Sequence, residues 1–306
     1  MNDERSLATA YTRARPRLER LAYAMTGSHA EAEDVVSDSW LRLIAAHANE
    51  PVQNVEAWAT VVVARRALDT LRSARVRRET YVGPWLPEPW LEAPPASDPA
   101  ERVTLDDSVS FALMVVLETL SPAERTAWVL HDLFGMEFSE VARVVGRTTA
   151  AVRQLAARAR KHVAAGTPRV TVDHATHEAV VAAFRRATID GDLPGLMTVL
   201  DPDVTLTSDG GGKVRAALRP VHGADRVARL LIGLASQLDG DHRPRSVTVN
   251  GAPGFAILKG SEYDFVISLT VEDARITRVD MVRAPDKLAT LPSDSQSSAY
   301  CTRSIT

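Results

Sequence analysis

The chain has 306 residues, enough for two or three domains. Its composition is that of an ordinary globular protein, 45% hydrophobic and 25% charged. A formal net charge of −3 excludes a chain that holds nucleic acid by bulk positive charge. A single cysteine, Cys301, excludes an internal disulfide and fits a reducing compartment. The N-terminal stretch lacks the apolar segment of a secretory signal, and no apolar run has the length of a membrane span. The expected location is the cytoplasm, with no membrane contact.

From about Leu7 to Arg78 the pattern is helical. Tyr11, Leu18, Leu21 and Ala22 mark one amphipathic helix, which stops at Thr26-Gly27-Ser28. A second is expected over His29–His47, with Val36, Trp40, Leu43 and Ile44 as an apolar stripe. Glu31, Asp34 and Asp38 form an acidic row at i, i+3 and i+7. After a loop at Asn49–Asn54, a third helix runs from Ala57 to about Arg78. Trp58, Val61, Val62, Ala64 and Leu68 give it a packed side, and Arg65, Arg66, Arg72, Arg75, Arg77 and Arg78 make its second half basic.

Tyr81–Pro99 reads as a linker whose prolines favour extended backbone. Tyr81, Trp85, Leu86, Trp90 and Leu91 are too apolar for a solvated tether, so this segment is expected to dock in a groove. Ser121-Pro122-Ala123-Glu124 then has the form of a capping box opening a helix that carries Ala127, Val129, Leu130 and Leu133 and ends at Gly135. Phe138, Val141, Ala142 and Val145 mark a short helix ended by Gly146. Thr148 is the N-cap of a basic helix with Val152, Leu155, Ala156 and Ala159 inside and Arg153, Arg158, Arg160 and Lys161 outside. From Val141 to Val172 there is no acidic residue. Two helices joined by a glycine turn, the second of one-signed charge, form the pattern of a DNA-binding helix-turn-helix.

Beyond Pro168 the pattern changes. Helices are expected over His174–Asp190, then through Leu200, and around Ala224–Gln237. Strands are expected at Val204–Ser208, Ser246–Asn250, Phe255–Lys259, Asp264–Val271 and Ile276–Val282, the whole an α+β cone with an antiparallel meander. Asp209-Gly210-Gly211-Gly212-Lys213 is a strong turn signal, and it lacks the spacing of a phosphate loop. The polar, Ser-rich end from residue 291 is expected to be disordered.

Ala32-Glu33-Asp34-Val35-Val36 through Trp40-Leu41-Arg42-Leu43 resembles a segment of region 2 of bacterial sigma factors. So does Trp58 followed by Ala64-Arg65-Arg66-Ala67-Leu68-Asp69-Thr70-Leu71-Arg72, and Leu120–Lys161 resembles sigma region 4. Both motifs in order, with no room for regions 1 or 3, resemble the extracytoplasmic-function sigma factors. The segment from Ala183 to Met197 resembles the SnoaL-like, NTF2-like fold. Trp85-Leu86-Pro87-Glu88-Pro89, the Asp209–Lys213 turn and Ala284-Pro285-Asp286-Lys287-Leu288 resemble signatures of sigma factors carrying that extra domain.

The resemblance implies two all-α sigma domains, 1–79 and 106–166, a linker over 80–105, and an α+β SnoaL-like domain over 172–290. It implies RNA polymerase core (beta-prime and beta subunits) and promoter DNA as partners. Asp34, Asp38 and Leu41 would meet polymerase. Trp58, Arg65, Arg66, Asp69 and Arg72 would meet the minus-10 element, and Thr149, Arg153, Gln154 and Arg158 the minus-35 element. Trp85, Leu86, Pro87, Asp209, Gly210, Gly211, Gly212, Lys213, Asp286 and Lys287 would form an interdomain regulatory contact, the C-terminal domain standing in for a separate anti-sigma factor. No cofactor, metal or catalytic residue is expected. The alternative is a last domain that binds a small molecule or acts as an enzyme. Its candidate acid–base residues are Asp209, His222, Asp264 and Asp280, none paired at a catalytic spacing, and His174 with His177 lacks further metal ligands.

Overall fold

Short polar side chains close the helix starts where the sequence offers them, and so fix the element boundaries. The computed structural model describes residues 2–78, 80–92, 109–167 and 172–291. The predicted tail after Leu291, Cys301, the second half of the linker and the side chains of Arg77 and Arg78 lie outside the described residues. Packing divides the chain into two units, Met1–Thr80 with Val116–Gly166, and Tyr81–Val115 with Thr167–Thr306.

The first unit is helical. It begins with α1 (Asn2–Thr26), α2 (His29–Asn49) and α3 (Val55–Arg78). Ser28 caps α2 by accepting from Glu31 N at 3.3 Å, and Asn54 accepts from Ala57 N at 2.9 Å to start α3. Leu18, Leu21 and Met25 of α1, Val36 and Leu43 of α2, and Val63, Ala64 and Leu68 of α3 are buried. The Tyr11 hydroxyl is buried with them and donates to Val36 O at 2.6 Å. Two expected faces hold in part, with Val36 and Leu43 of α2 and Ala64 and Leu68 of α3 buried as expected. Ile44 is 44% exposed rather than part of the α2 stripe, and α3 buries Ala59, Val63 and Ala67 while Trp58, Val61 and Val62 are half-buried. Small residues pack α3 against its neighbours beside Ala64 and Leu68, and the bulkier Trp58, Val61 and Val62 stay at the margin of that core.

The same unit continues from the end of α4 (Phe111–Glu118) into α5 (Pro122–Trp128), α6 (Phe138–Val145) and α7 (Thr149–Gly166). The Ser121–Glu124 capping box forms as expected. The helix it opens does not run unbroken to Gly135, because Val129–Leu133 is a π turn, with Phe134 N donating to Val129 O at 3.1 Å. Gly146 closes α6 in the left-handed region at φ 71, and Thr148 caps α7 by accepting from Ala151 N at 3.2 Å.

In the second unit, α8 (His174–Asp190), α9 (Leu193–Val199) and α10 (Ala224–Ala235) accompany a mixed sheet. Its strands are β1 (Leu91–Glu92), β2 (Leu200–Asp209), β3 (Val221–His222), β4 (His242–Val249), β5 (Ala252–Lys259), β6 (Glu262–Glu272) and β7 (Arg275–Val282), in the order β1-β4-β5-β6-β7-β2-β3. The expected meander is β4 to β7. The sheet is not all antiparallel, however, because β2 lies parallel to β7, with Thr207 opposite Asp280 and Asp209 opposite Val282. The long crossover between them holds α10 and the meander, which is what a parallel neighbour requires.

Alternation along β7 separates two cores. Val279 and Met281 join Phe184, Val227 and Leu231 on the α8/α10 side, and Val282 joins Leu86, Phe111 and Leu288 on the other. Here α11 (Pro285–Leu288) ends the described fold.

Candidate functional site

The second core is covered by the linker, and its polar centre is Asp209. This carboxylate, at the end of β2, is fully buried. It accepts from the Tyr81 hydroxyl at 2.5 Å, from Leu86 N at 2.9 Å and from Gly211 N at 3.0 Å, and lies 2.7 Å from Lys287 Nζ. Lys287, 3% exposed, also donates to Leu86 O. One linker residue thus gives its N–H to the aspartate and its carbonyl to the lysine, so both polar groups of its backbone are satisfied in an apolar setting.

Lys287 Nζ sits 3.3 Å from the Trp85 ring centroid, within cation–π range, and Tyr81 meets Trp85 edge-on with centroids 4.7 Å apart. Burial, then the Asp209 hydrogen bond and its negative charge, push the Tyr81 phenol well above its usual range.

The three glycines of the predicted turn let this site close. Gly211 and Gly212 have φ of +66 and +69, and a Cβ on Gly212 would stand 3.2 Å from Val82 of the linker. Lys213 pairs with Asp286 at 2.6 Å. Further along, Trp90 N donates to Asn250 Oδ1 at 3.0 Å, Asn250 N to Trp90 O at 2.8 Å, and Leu91–Glu92 adds to β4 as an antiparallel strand. Leu86, Pro87, Glu88 and Pro89 are buried. The ten predicted regulatory residues therefore fall on the linker, on the end of β2 with the turn that follows it, and on α11. Tyr81 and Asn250 were missing from that group. The Asn250-Gly251 hairpin dipeptide was the available signal for Asn250, which occupies its left-handed position at φ 50, and the apolar docking pattern of the linker was the signal for Tyr81.

In the helical unit, Asp34 is exposed and Leu41 is 65% exposed, whereas Asp38 is tied to Arg42 Nε at 2.8 Å and Arg66 Nε at 3.0 Å. The Arg42 hydrogen bond leads in holding the Asp38 carboxyl below its usual range. The acidic row of α2 is thus partly neutralised, and it meets the basic half of α3 at Arg66. Arg65 is exposed and donates to Arg143 O at 3.4 Å, and Arg72 lies 3.5 Å from Asp69. On α7, Arg153, Gln154 and Arg158 are exposed and Thr149 is half-buried. Arg158 pairs with Glu124 at 3.0 Å. Burial alone would push the Glu124 carboxyl up, but hydrogen bonds from Ser121 and the Arg158 charge outweigh it and hold it down.

A charged residue unnoticed in the sequence joins the two halves of this unit. Arg125 is 1% exposed on α5, donates from Nε to Ala24 O of α1 at 2.9 Å, and pairs through Nη1 with Glu118 at 2.7 Å.

The alternative acid–base residues do not converge. Asp209 is engaged as described, His222 is exposed with Thr205 at 3.1 Å, and Asp264 is 3.5 Å from Arg283. Phe184, Phe255, Leu206, Leu231, Ile267 and Met281 are buried together in the core between the helices and the sheet. Among the described residues no group of three His, Cys, Asp or Glu could hold a metal, and no helix is long and apolar enough to cross a membrane.

Asp280 is buried beside Arg278 at 2.7 Å, and burial raises its pKa against the opposing charge and hydrogen bond of that arginine. The folded state holds this proton more tightly than the unfolded chain, so a cost to stability sets in as pH rises past the ordinary aspartate value and is complete once pH passes the raised folded-state pKa. Asp280→Asn is expected to raise the melting temperature at pH 7 and to leave it unchanged below the ordinary aspartate range, in melts taken from pH 3 to pH 8.

The family model for Sigma-70 region 2 matches residues 10–77 and that for Sigma-70, region 4 matches residues 110–163. The ECF RNA polymerase sigma factor SigJ of Mycobacterium tuberculosis (strain ATCC 25618 / H37Rv) is 39% identical over 292 residues, spanning 91% of this chain and 92% of that protein. The crystal structure of the extracytoplasmic function sigma factor SigJ from Mycobacterium tuberculosis superposes with a TM-score of 0.74 at 36% identity, covering 93% of this chain and 99% of that one.

Proposed function

The chain belongs to the extracytoplasmic-function RNA polymerase sigma factors, and from that premise we propose that its C-terminal α+β domain controls it in cis by gripping the linker between regions 2 and 4. As a sigma factor it binds core polymerase and directs promoter-specific initiation, a role without chemistry of its own. The observation that carries the proposal is the double hold on Leu86, whose N–H goes to Asp209 and whose carbonyl goes to Lys287. A buried ion pair closed over one backbone residue fixes where the linker leaves region 2, and so limits how far region 4 can travel. The grip works whether or not a separate anti-sigma factor also acts.

Each surface takes a part in this reading. Asp34, Asp38 and Leu41 meet polymerase. Trp58, Arg65, Arg66, Asp69 and Arg72 meet the minus-10 element, and Thr149, Arg153, Gln154 and Arg158 the minus-35 element, with arginines able to neutralise phosphates or bridge guanine edges. The test is run-off transcription by purified full-length chain with core polymerase, comparing wild type with Asp209→Ala at equal core occupancy. A several-fold change in output is expected. Equal output from the two proteins would sink the regulatory reading, and specific initiation without core would sink the sigma assignment itself.

A further inference from the structure

The arginines of α7 stand in two different settings. Arg158 pairs with Glu124 and Arg160 with Asp132, so carboxylates from α5 and the π turn answer both charges. Arg153 instead lies over an aromatic face, its Cζ 5.5 Å from the centroid of Phe138. Phe138 is in turn stacked on His131, with centroids 3.7 Å apart and planes 25° from parallel. His131 is fixed from below by its Nδ1–H donating to Met136 O at 2.8 Å. The column exists because of the π turn Val129–Leu133, which has His131 at its centre and is closed by Met136 N donating to Leu130 O at 2.9 Å. It runs from that turn through the first residue of α6 to the first third of α7.

We propose that Phe138, held by His131, is a positioning residue that sets Arg153 to read a guanine edge in the minus-35 element, while Arg158 serves the DNA backbone. This rests on the reading of α7 as the helix that enters the major groove. The N-terminal residues of such a helix face base edges, and an arginine reads guanine through two parallel hydrogen bonds to O6 and N7. A free arginine loses much side-chain entropy when fixed in that geometry. A guanidinium already resting on a ring has lost part of it before DNA arrives, so less is lost on binding. A cation–π contact uses none of the guanidinium N–H groups, so they stay available to a base. Arg158, by contrast, enters any DNA contact with its charge shared by Glu124, which suits a backbone contact better than selective readout.

The test uses the full chain with core polymerase and a promoter library whose minus-35 hexamer is randomised, with bound DNA sequenced. Arg153→Ala is expected to lose roughly tenfold preference for guanine at one position. Phe138→Leu, checked for an unchanged melting temperature, is expected to cut the preference at that same position by roughly two- to fivefold, and Phe138→Trp to restore it. His131→Leu, one layer further from the DNA, gives a smaller loss at the same position, and Arg158→Ala leaves every base preference in place. The proposal is overturned if Phe138→Leu leaves the guanine preference that Arg153→Ala removes, or if it weakens all positions alike. If neither Arg153→Ala nor Arg158→Ala alters binding to any hexamer, the assignment of α7 fails instead.

Discussion

Asp209→Ala is expected to destabilise the second unit by about 3–5 kcal/mol, the usual cost of removing one partner from a buried ion pair. Lys287 would keep its ammonium 3% exposed beside Leu86 O and the Trp85 ring, without the carboxylate that offsets its desolvation. Leu86 N and the Tyr81 hydroxyl would lose the same acceptor. Lys287→Met is milder, because Asp209 retains three hydrogen-bond donors and methionine still packs on Trp85. The double variant Asp209→Ala/Lys287→Met should cost clearly less than the sum of the single changes, since removing both charges leaves neither one buried without its partner. Chemical unfolding of the four full-length proteins, followed by tryptophan fluorescence, measures the cycle. Additive losses would mean that the two charges are not coupled and that the clasp is only a packing contact.

The second large effect concerns Arg125. Regions 2 and 4 share one unit, and for about 130 residues a compact body has a radius of gyration near 14 Å and spans roughly 35–40 Å. The minus-10 and minus-35 elements are separated by about 25 base pairs, which at ~3.4 Å each is roughly 85 Å. The packed unit cannot touch both, so it has to open when polymerase places region 2 and region 4 on DNA. Arg125 is the most buried of the arginines that bridge the two regions, and its bond to Ala24 O must break, as must that of Arg65 to Arg143 O.

Arg125→Ala is expected to lower the stability of the packed form by about 3–5 kcal/mol and to shift the chain toward the open one. Dyes placed through Gln53→Cys and Ala164→Cys, both exposed, in a Cys301→Ser background, report the separation by energy transfer. Transfer should fall on binding core and promoter in the wild type, and should already be reduced in the free Arg125→Ala protein. Unchanged transfer in that variant would show that other contacts hold the two regions together.

The sequence made the elements legible where one residue type has a single use. The Ser121–Glu124 box and Gly146 mark helix ends, and the Asp209–Lys213 turn is written in glycine. Charge also separated Arg153 and Arg158 from Val152 and Ala156. Three features resisted. The π turn leaves no mark in apolar spacing, because one added residue at a helix end shifts nothing downstream once Gly135 interrupts the pattern. Arg125 reads as one more surface arginine, and only the approach of α1 makes it interior. The parallel pairing of β2 with β7 depends on chain path, which alternation cannot reveal, since both neighbours of a buried strand are read from the same pattern. Asp209 stood out by its place beside glycines, but its lysine lay 78 residues on, a separation no local pattern reports.

The strand Leu91–Glu92 has a second consequence. It covers the outer edge of β4 at Thr248 and Val249, and Leu86 covers the apolar face formed by Val249, Ala256 and Val282. Any state in which the linker leaves the domain uncovers both an unpaired strand edge and that face at once, the combination that recruits other chains and proteases. Release and lifetime are therefore tied together. A molecule whose linker has left the domain is the one most exposed to aggregation and cleavage.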